Sequence, residues 1–184
     1  MTPDAGAPGT APRPLSARQL PLQRVLVDHH ITTLRDLCAV IAQSAANGNA
    51  GQAARIEAKL LARHARASPA LGFGIALPHA AVAGVSSPIA VFVRSTTVLD
   101  IYAPDGSQTK DVLALLVRLP GLAADHDLLM GVTTFLTCPA TRGALNQART
   151  REEIHAVLTT TPEPGPHQSW DRPPTAHAGL SETV

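Results

Sequence analysis

A single layered α/β domain is the fold this sequence predicts, on three observations. The apolar periodicity alternates between helical and strand-like spacing along the chain; the composition, 45% hydrophobic and 16% charged over 184 residues, is that of one ordinary globular domain; and prolines crowd both ends. Five prolines fall in residues 1–21 and five in 161–184, against six in the whole of 22–160. The domain is therefore expected over 22–160. The flanks are expected to be disordered tails, because segments such as Pro162-Glu163-Pro164-Gly165-Pro166 offer no apolar surface to offset their ordering entropy. The lone Trp170 belongs to the second tail and is not counted with the core.

Taken in order, Leu34, Leu37, Cys38, Ile41 and Ala45 recur at three and four residues, follow the capping candidates Thr32-Thr33 and stop at Asn47-Gly48, which makes a first helix. Ala53, Ile56 and Leu60, interleaved with Arg55, Lys59 and Arg63, make a second from about Ala50 to Ala65. Four β-prone runs follow: Phe73 to Leu77, Ile89 to Arg94, Thr97 to Tyr102 and Val112 to Arg118. Pro104-Asp105-Gly106 supplies a preset φ, a side-chain acceptor and a residue free to take positive φ, so the last two runs are expected to form a hairpin. Leu128, Leu129, Val132, Phe135 and Leu136 mark another helix, begun near Asp125 and ended before Pro139. Thr150-Arg151-Glu152-Glu153 has the form of a capping box and opens a closing helix through Ile154, Val157 and Leu158.

Composition excludes several functions. Fifteen basic against fourteen acidic residues give +1, and five aromatics are available for stacking, so nucleic acid is not an expected partner. No run of about eighteen apolar residues exists, so no membrane insertion is expected. The N-terminus lacks the layout of a secretory signal and the protein is expected to be cytoplasmic, with Cys38 and Cys138 as reduced thiols.

Of eight histidines, His64, His79 and His126 fall where chemistry is plausible. His79 follows Gly72-Phe73-Gly74-Ile75-Ala76-Leu77-Pro78, a strand whose proline keeps Leu77 extended and fixes the exit of the chain, so its ring is held on a rigid rim. The glycines at 72 and 74 either admit a close backbone approach or serve a turn. His126 lies in the expected first turn of a helix, where the dipole favours anions and a neutral imidazole.

The run Gly74-Ile75-Ala76-Leu77-Pro78-His79 resembles the signature of the enzyme IIA domains of the fructose and mannitol branch of the bacterial phosphotransferase system, most of all their stand-alone nitrogen-regulatory members. Ala103-Pro104-Asp105-Gly106, Asp111 to Val117, and His126 followed by Leu128-Leu129 continue the resemblance, which spans about Leu22 to Leu158. It implies a central mixed β-sheet flanked by helices in a layered sandwich, with His79 accepting a phosphoryl group, His126 beside it and Arg63 helping to hold the phosphoryl oxygens. Amides near Ala80 and Ala81 are further candidate donors. Phe73, Ile75 and Leu77 are expected to border a docking surface around His79. The implied donor is a histidine phosphocarrier protein, and neither metal nor organic cofactor is implied. A sugar-transporting arrangement would add a cysteine-bearing domain and a membrane domain, so the expected role is in trans, as a regulator of targets such as transporters or kinases.

The sequence departs from the family at three places. His64 stands where the family has a glutamate after the arginine; it either adds a donor or, as the simpler expectation, faces water. Ser68-Pro69-Ala70 replaces Ser-Thr-Gly, and Lys110 replaces an apolar residue. These changes keep open a second reading, a binding module that works without phosphorylation. A third, remote reading is a zinc enzyme with His64, His79 and His126 as ligands, although no closely spaced His pair supports it.

Overall fold

The computed structural model describes residues 20–159. Eleven elements follow in order: β1 (Leu22–His29), α1 (Leu34–Ala45), α2 (Ala50–His64), β2 (Ala70–Gly72), β3 (Ile75–Ala76), β4 (His79–Val82), β5 (Ile89–Leu99), β6 (Thr109–Arg118), α3 (Ala123–Thr137), α4 (Pro139–Gln147) and α5 (Arg151–Thr159). One mixed sheet of six strands, ordered β1-β5-β6-β3-β2 with β4 also on β6, runs through the centre. β5 and β6 are antiparallel, as the expected hairpin requires, while β1 on β5 and both β3 and β4 on β6 are parallel.

Two apolar clusters cover the two faces of this sheet. On one, Val91, Val93, Val112, Ala114 and Leu116 pack with Leu37, Ile41, Ile56 and Leu60 of α1 and α2. On the other, Phe92, Leu113 and Leu115 pack with Val132 and Leu136 of α3, Leu145 of α4, and Ile154 and Leu158 of α5. Covering both faces explains why β6 reads as an unbroken apolar run, since every residue from Asp111 to Leu116 is buried. The layered α/β sandwich expected from the sequence is the observed fold.

The caps are those the sequence supplies. Thr33 accepts the Asp36 amide at α1, Asn49 accepts the Gln52 amide at α2, and Asn47 and Gly48 between them take positive φ. At α5 the capping box is complete: Thr150 Oγ1 accepts the Glu153 amide, and Glu153 Oε2 accepts the Thr150 amide.

Four differences from the sequence reading have physical causes. The runs expected at 89–94 and 97–102 form one strand, β5, whose pairing with β6 shifts register between Arg94 and Leu99. β1, not expected at all, is an edge strand in which Gln23, Arg24 and Asp28 are exposed, so only Val25-Leu26-Val27 looks β-like. α4 was unexpected because Pro139 reads as a terminator; it stands instead at the first helical position, where its missing N–H costs nothing. The expected Phe73 to Leu77 strand is two-residue β3 flanked by β2 and β4. Cys38 is buried, Cys138 half-buried, and both are free thiols, with burial pushing Cys38 up to about 12. Of the expected tails, only residues 20 and 21 lie within the described residues.

Candidate functional site around His79

His79 opens β4. Ile75 pairs with Asp111, Ala76 with Val112 and His79 with Leu115, so β3 and β4 are one strand in unbroken register along β6, interrupted only at Leu77-Pro78. Proline fits that gap because it has no N–H to place, and its carbonyl still accepts the Leu115 amide at 2.9 Å. Alternation along β4 sends Ala80 and Val82 to the α1–α2 cluster, which places His79 on the opposite, α3 side, where Leu115 also lies.

The ring of His79 is half-buried, and its Nδ1 lies 3.0 Å from the Leu77 carbonyl oxygen. A carbonyl only accepts, so Nδ1 carries the proton and donates. The lone pair of the neutral ring is then on Nε2. Orientation and tautomer are thus set by the backbone two residues earlier, and the free nitrogen is a nucleophile rather than a hydrogen-bond donor. β4 has one strand neighbour, β6, among the described residues, so alternate amides of the Ala80-Ala81 segment point away from the ladder.

α2 packs against β4 and ends at Arg63 and His64. Arg63 is half-buried and forms no ion pair among the described residues, leaving a guanidinium free for an anion. His64 does not face water as expected: both ring nitrogens are shut off from solvent and lack a hydrogen-bond partner among the described residues. Burial lowers its pKa to about 4, helped by the neighbouring His79 and Arg63, while a contact with the Ala67 backbone raises it. The structure therefore brings Arg63, His64 and His79 to one locality.

His126 is exposed in the first turn of α3, the helix whose Val132 and Leu136 cover the face toward which His79 points. Its place is fixed by its neighbour. Asp125, buried, accepts Arg118 Nη2 at 2.9 Å and the Leu122 amide at 2.9 Å, locking the end of β6 to the start of α3 and holding the Asp125 carboxyl below the usual range. Leu122, His126 and Met130 recur every four residues, and Leu122 and Met130 are both about half exposed. These two flank His126 with exposed apolar surface that sequence reading missed, although the spacing was there to find; Leu119, three residues before Leu122, is exposed as well.

The expected docking residues need correction. Phe73 is exposed, but Ile75 and Leu77 are 4% and 2% exposed and belong to the core. The glycines also serve the fold. Gly72, Phe73 and Gly74 all take positive φ, and the Asp105 carboxylate accepts the Phe73 amide at 2.7 Å. A Cβ on Gly72 would come within 2.9 Å of that carboxylate, so the tight turn needs glycine here. Pro69 keeps the backbone role of its position, its carbonyl accepting the Leu77 amide at 2.8 Å.

A cleft of about 680 Å³ lies at the far end of β3 and is lined by Arg94, Lys110 and Arg149 among others; it includes none of Arg63, His64, His79 and His126. No three His, Cys, Asp or Glu side chains among the described residues are grouped to hold a metal ion, so the three histidines do not form the zinc centre of the remote reading. Nor is any helix among the described residues long and apolar enough to cross a membrane.

Comparison with known proteins agrees with this fold. A fructose-specific EIIA component of the phosphotransferase system from Haloferax volcanii is 32% identical over 105 residues, 56% of this chain and 68% of that protein. A nitrogen regulatory protein of Pseudomonas aeruginosa is 29% identical over 99 residues, 54% of this chain and 64% of the relative. Among solved structures, the nitrogen regulatory protein IIA-Ntr from Neisseria meningitidis superposes with a TM-score of 0.66 at 26% identity, covering 76% of this chain and 97% of that one. IIA mannitol from Escherichia coli shares the fold, with a TM-score of 0.58 at 14% identity over 73% of this chain and 94% of that one. The chain is thus related to both the fructose–mannitol and the nitrogen-regulatory branches. Residues 19–160 match the family described as phosphoenolpyruvate-dependent sugar phosphotransferase system, EIIA 2, and the chain belongs to that family.

Proposed function

We propose that this protein is a phosphohistidine relay with a regulatory role: His79 accepts a phosphoryl group from a histidine phosphocarrier protein, and the phosphorylation state controls binding to target proteins. The observation that carries this reading is the ring of His79, held by the Leu77 carbonyl so that neutral Nε2 is free, at the end of the Gly74 to His79 motif of the family. Nε2 attacks the phosphorus in line. Its bond to phosphorus forms as the carrier's N–P bond breaks, and the carrier imidazole leaves with the electron pair. Arg63 supplies charge to the equatorial oxygens, and His126 supplies a donor from the start of α3. No metal is needed, because the phosphoramidate arrives activated. The carrier docks over the patch of Leu119, Leu122 and Met130, a small surface suited to a transient encounter.

The likeness to nitrogen regulatory proteins supports a switch over a transport component, with targets such as transporters or kinases in the cytoplasm. A dianionic group at His79 reverses the local charge, which is enough to make or break such a contact. The changed residues Pro69, Ala70 and His64 favour one second reading, a regulatory binding module on the same fold that works without phosphate. Incubating the protein with phosphoenolpyruvate, enzyme I and the carrier separates the two. One acid-labile phosphoryl group by intact mass, absent from His79→Ala, is the expected result. No incorporation into the folded protein from a carrier of the same organism would leave the phosphate-independent module.

A further inference from the structure

We propose that His64 is the proton-accepting partner of the phosphoryl group: when His79 is phosphorylated, His64 takes up a proton and donates an N–H to a phosphoryl oxygen, so that acceptance of phosphate is coupled to pH. The inference rests on the phosphohistidine reading above and assigns a role to the position where the family resemblance puts a carboxylate.

The starting point is an imidazole with two buried nitrogens that, among the described residues, has only the Ala67 backbone near enough to act on it and no well-formed hydrogen bond, an arrangement folded proteins rarely keep without use. Burial holds the ring neutral, and the groups that bear on it besides are His79 from β4 and Arg63 from its own helix, neither of them an anion. On α1, the other element packed on α2, the charged groups are Arg35 and Asp36; Arg35 pairs with Glu57, two turns back along α2, and Asp36 accepts from Thr33. Arg66 follows in the exposed segment after the helix. Among the described residues no carboxylate bears on His64, so a phosphoryl dianion on His79 would be the first negative charge these surroundings supply.

The step balances simply. The Nε2–P bond forms and the carrier's N–P bond breaks, while Nδ1–H of His79 stays on the Leu77 carbonyl. His64 then gains one proton from solvent and becomes an imidazolium, and its new N–H finds an acceptor in a phosphoryl oxygen. A glutamate at this position would bring a second negative charge toward the phosphoryl group. An imidazole brings none in the free state and a compensating positive charge in the phosphorylated one.

The test uses the full chain equilibrated with phosphorylated carrier from about pH 6 to about pH 8.5, comparing wild type with His64→Gln, so that the carrier's own titration cancels in the ratio. The extent of phosphorylation of wild type relative to the variant is expected to fall as pH rises, by up to about tenfold per pH unit, the slope for one linked proton. Nitrogen-15 shifts of the His64 ring in wild type, which need no variant, should be those of a neutral imidazole at pH 7 in the free protein and of an imidazolium after phosphorylation. Parallel pH profiles, or a ring neutral in both states, would overturn the role of His64. A wild-type protein that takes up no phosphate at all would overturn the phosphohistidine reading beneath it.

Discussion

Replacing Arg94 with Met should destabilise the domain by about 2–4 kcal/mol without touching the surface around His79. Arg94, on β5, donates from Nε and Nη2 to the two carboxylate oxygens of Asp111, both at 2.7 Å, and from Nη1 and Nη2 to the carbonyls of Ala148 and Leu145 at 2.6 and 2.9 Å. It therefore pins the end of α4 to the sheet, and its bonds to Asp111 raise its own pKa. Breaking a buried pair by removing one partner costs about 3–5 kcal/mol. The Arg94 side chain is 23% exposed and Asp111 11%, so water recovers part of that loss and the lower range applies. At about 4 °C per kcal/mol for a domain of this size, the melting temperature should fall by about 8–16 °C. The double variant Arg94→Met, Asp111→Leu should recover about half of the loss, because it no longer leaves a bare carboxylate in the sheet. Thermal melts of the two variants beside wild type are the assay. A drop below about 2 °C for the single variant, or a double variant no better than the single, would refute the reasoning.

Three further outcomes are expected. Leu122→Glu and Met130→Glu should slow transfer from the carrier by about tenfold, the effect of losing about 1.4 kcal/mol of docking energy, while melting as wild type does; Ile75→Glu should fail to fold, and the reverse pattern would move the docking face to β3. Thr150→Ala removes half of the α5 capping box and should cost about 1 kcal/mol in urea unfolding, so an unchanged midpoint would contradict it. Asp105, held down to about 2 chiefly by the Phe73 amide and then by Ser107, contributes stability that is whole above its unfolded value of about 4 and is lost as pH falls through 2. Asp105→Asn should therefore flatten the acid limb of the stability profile between those values, and a limb as steep as wild type would show that the turn does not depend on the ionised carboxylate.

What the sequence made legible follows from which signals are local. Caps at Thr33 and Thr150 and the hairpin joining β5 to β6 depend on neighbouring residues and could be read directly. β1 could not, since an edge strand with exposed Gln23, Arg24 and Asp28 leaves only three consecutive β-like residues, and α4 hid behind a proline with two opposite meanings. At the site, the motif ending in His79 named the nucleophile candidate, and Arg63 came with its helix. The burial of His64 depends on α2 packing against β4, a contact between segments fifteen residues apart, and no local pattern encodes it. The same holds for Ile75 and Leu77, whose burial depends on α3, α4 and α5 arriving later in the chain.

The unbroken register of β3 and β4 along β6 has a consequence for how this family can vary. Because side chains alternate faces at every residue, inserting or deleting one residue between Ala76 and His79 would swing the imidazole through the sheet into the layer filled by α1 and α2. The spacing of the motif is therefore a parity constraint. The surrounding loops can lengthen and the neighbouring polar residues can be exchanged, but the His79 ring can change its place along the strand only in steps of two.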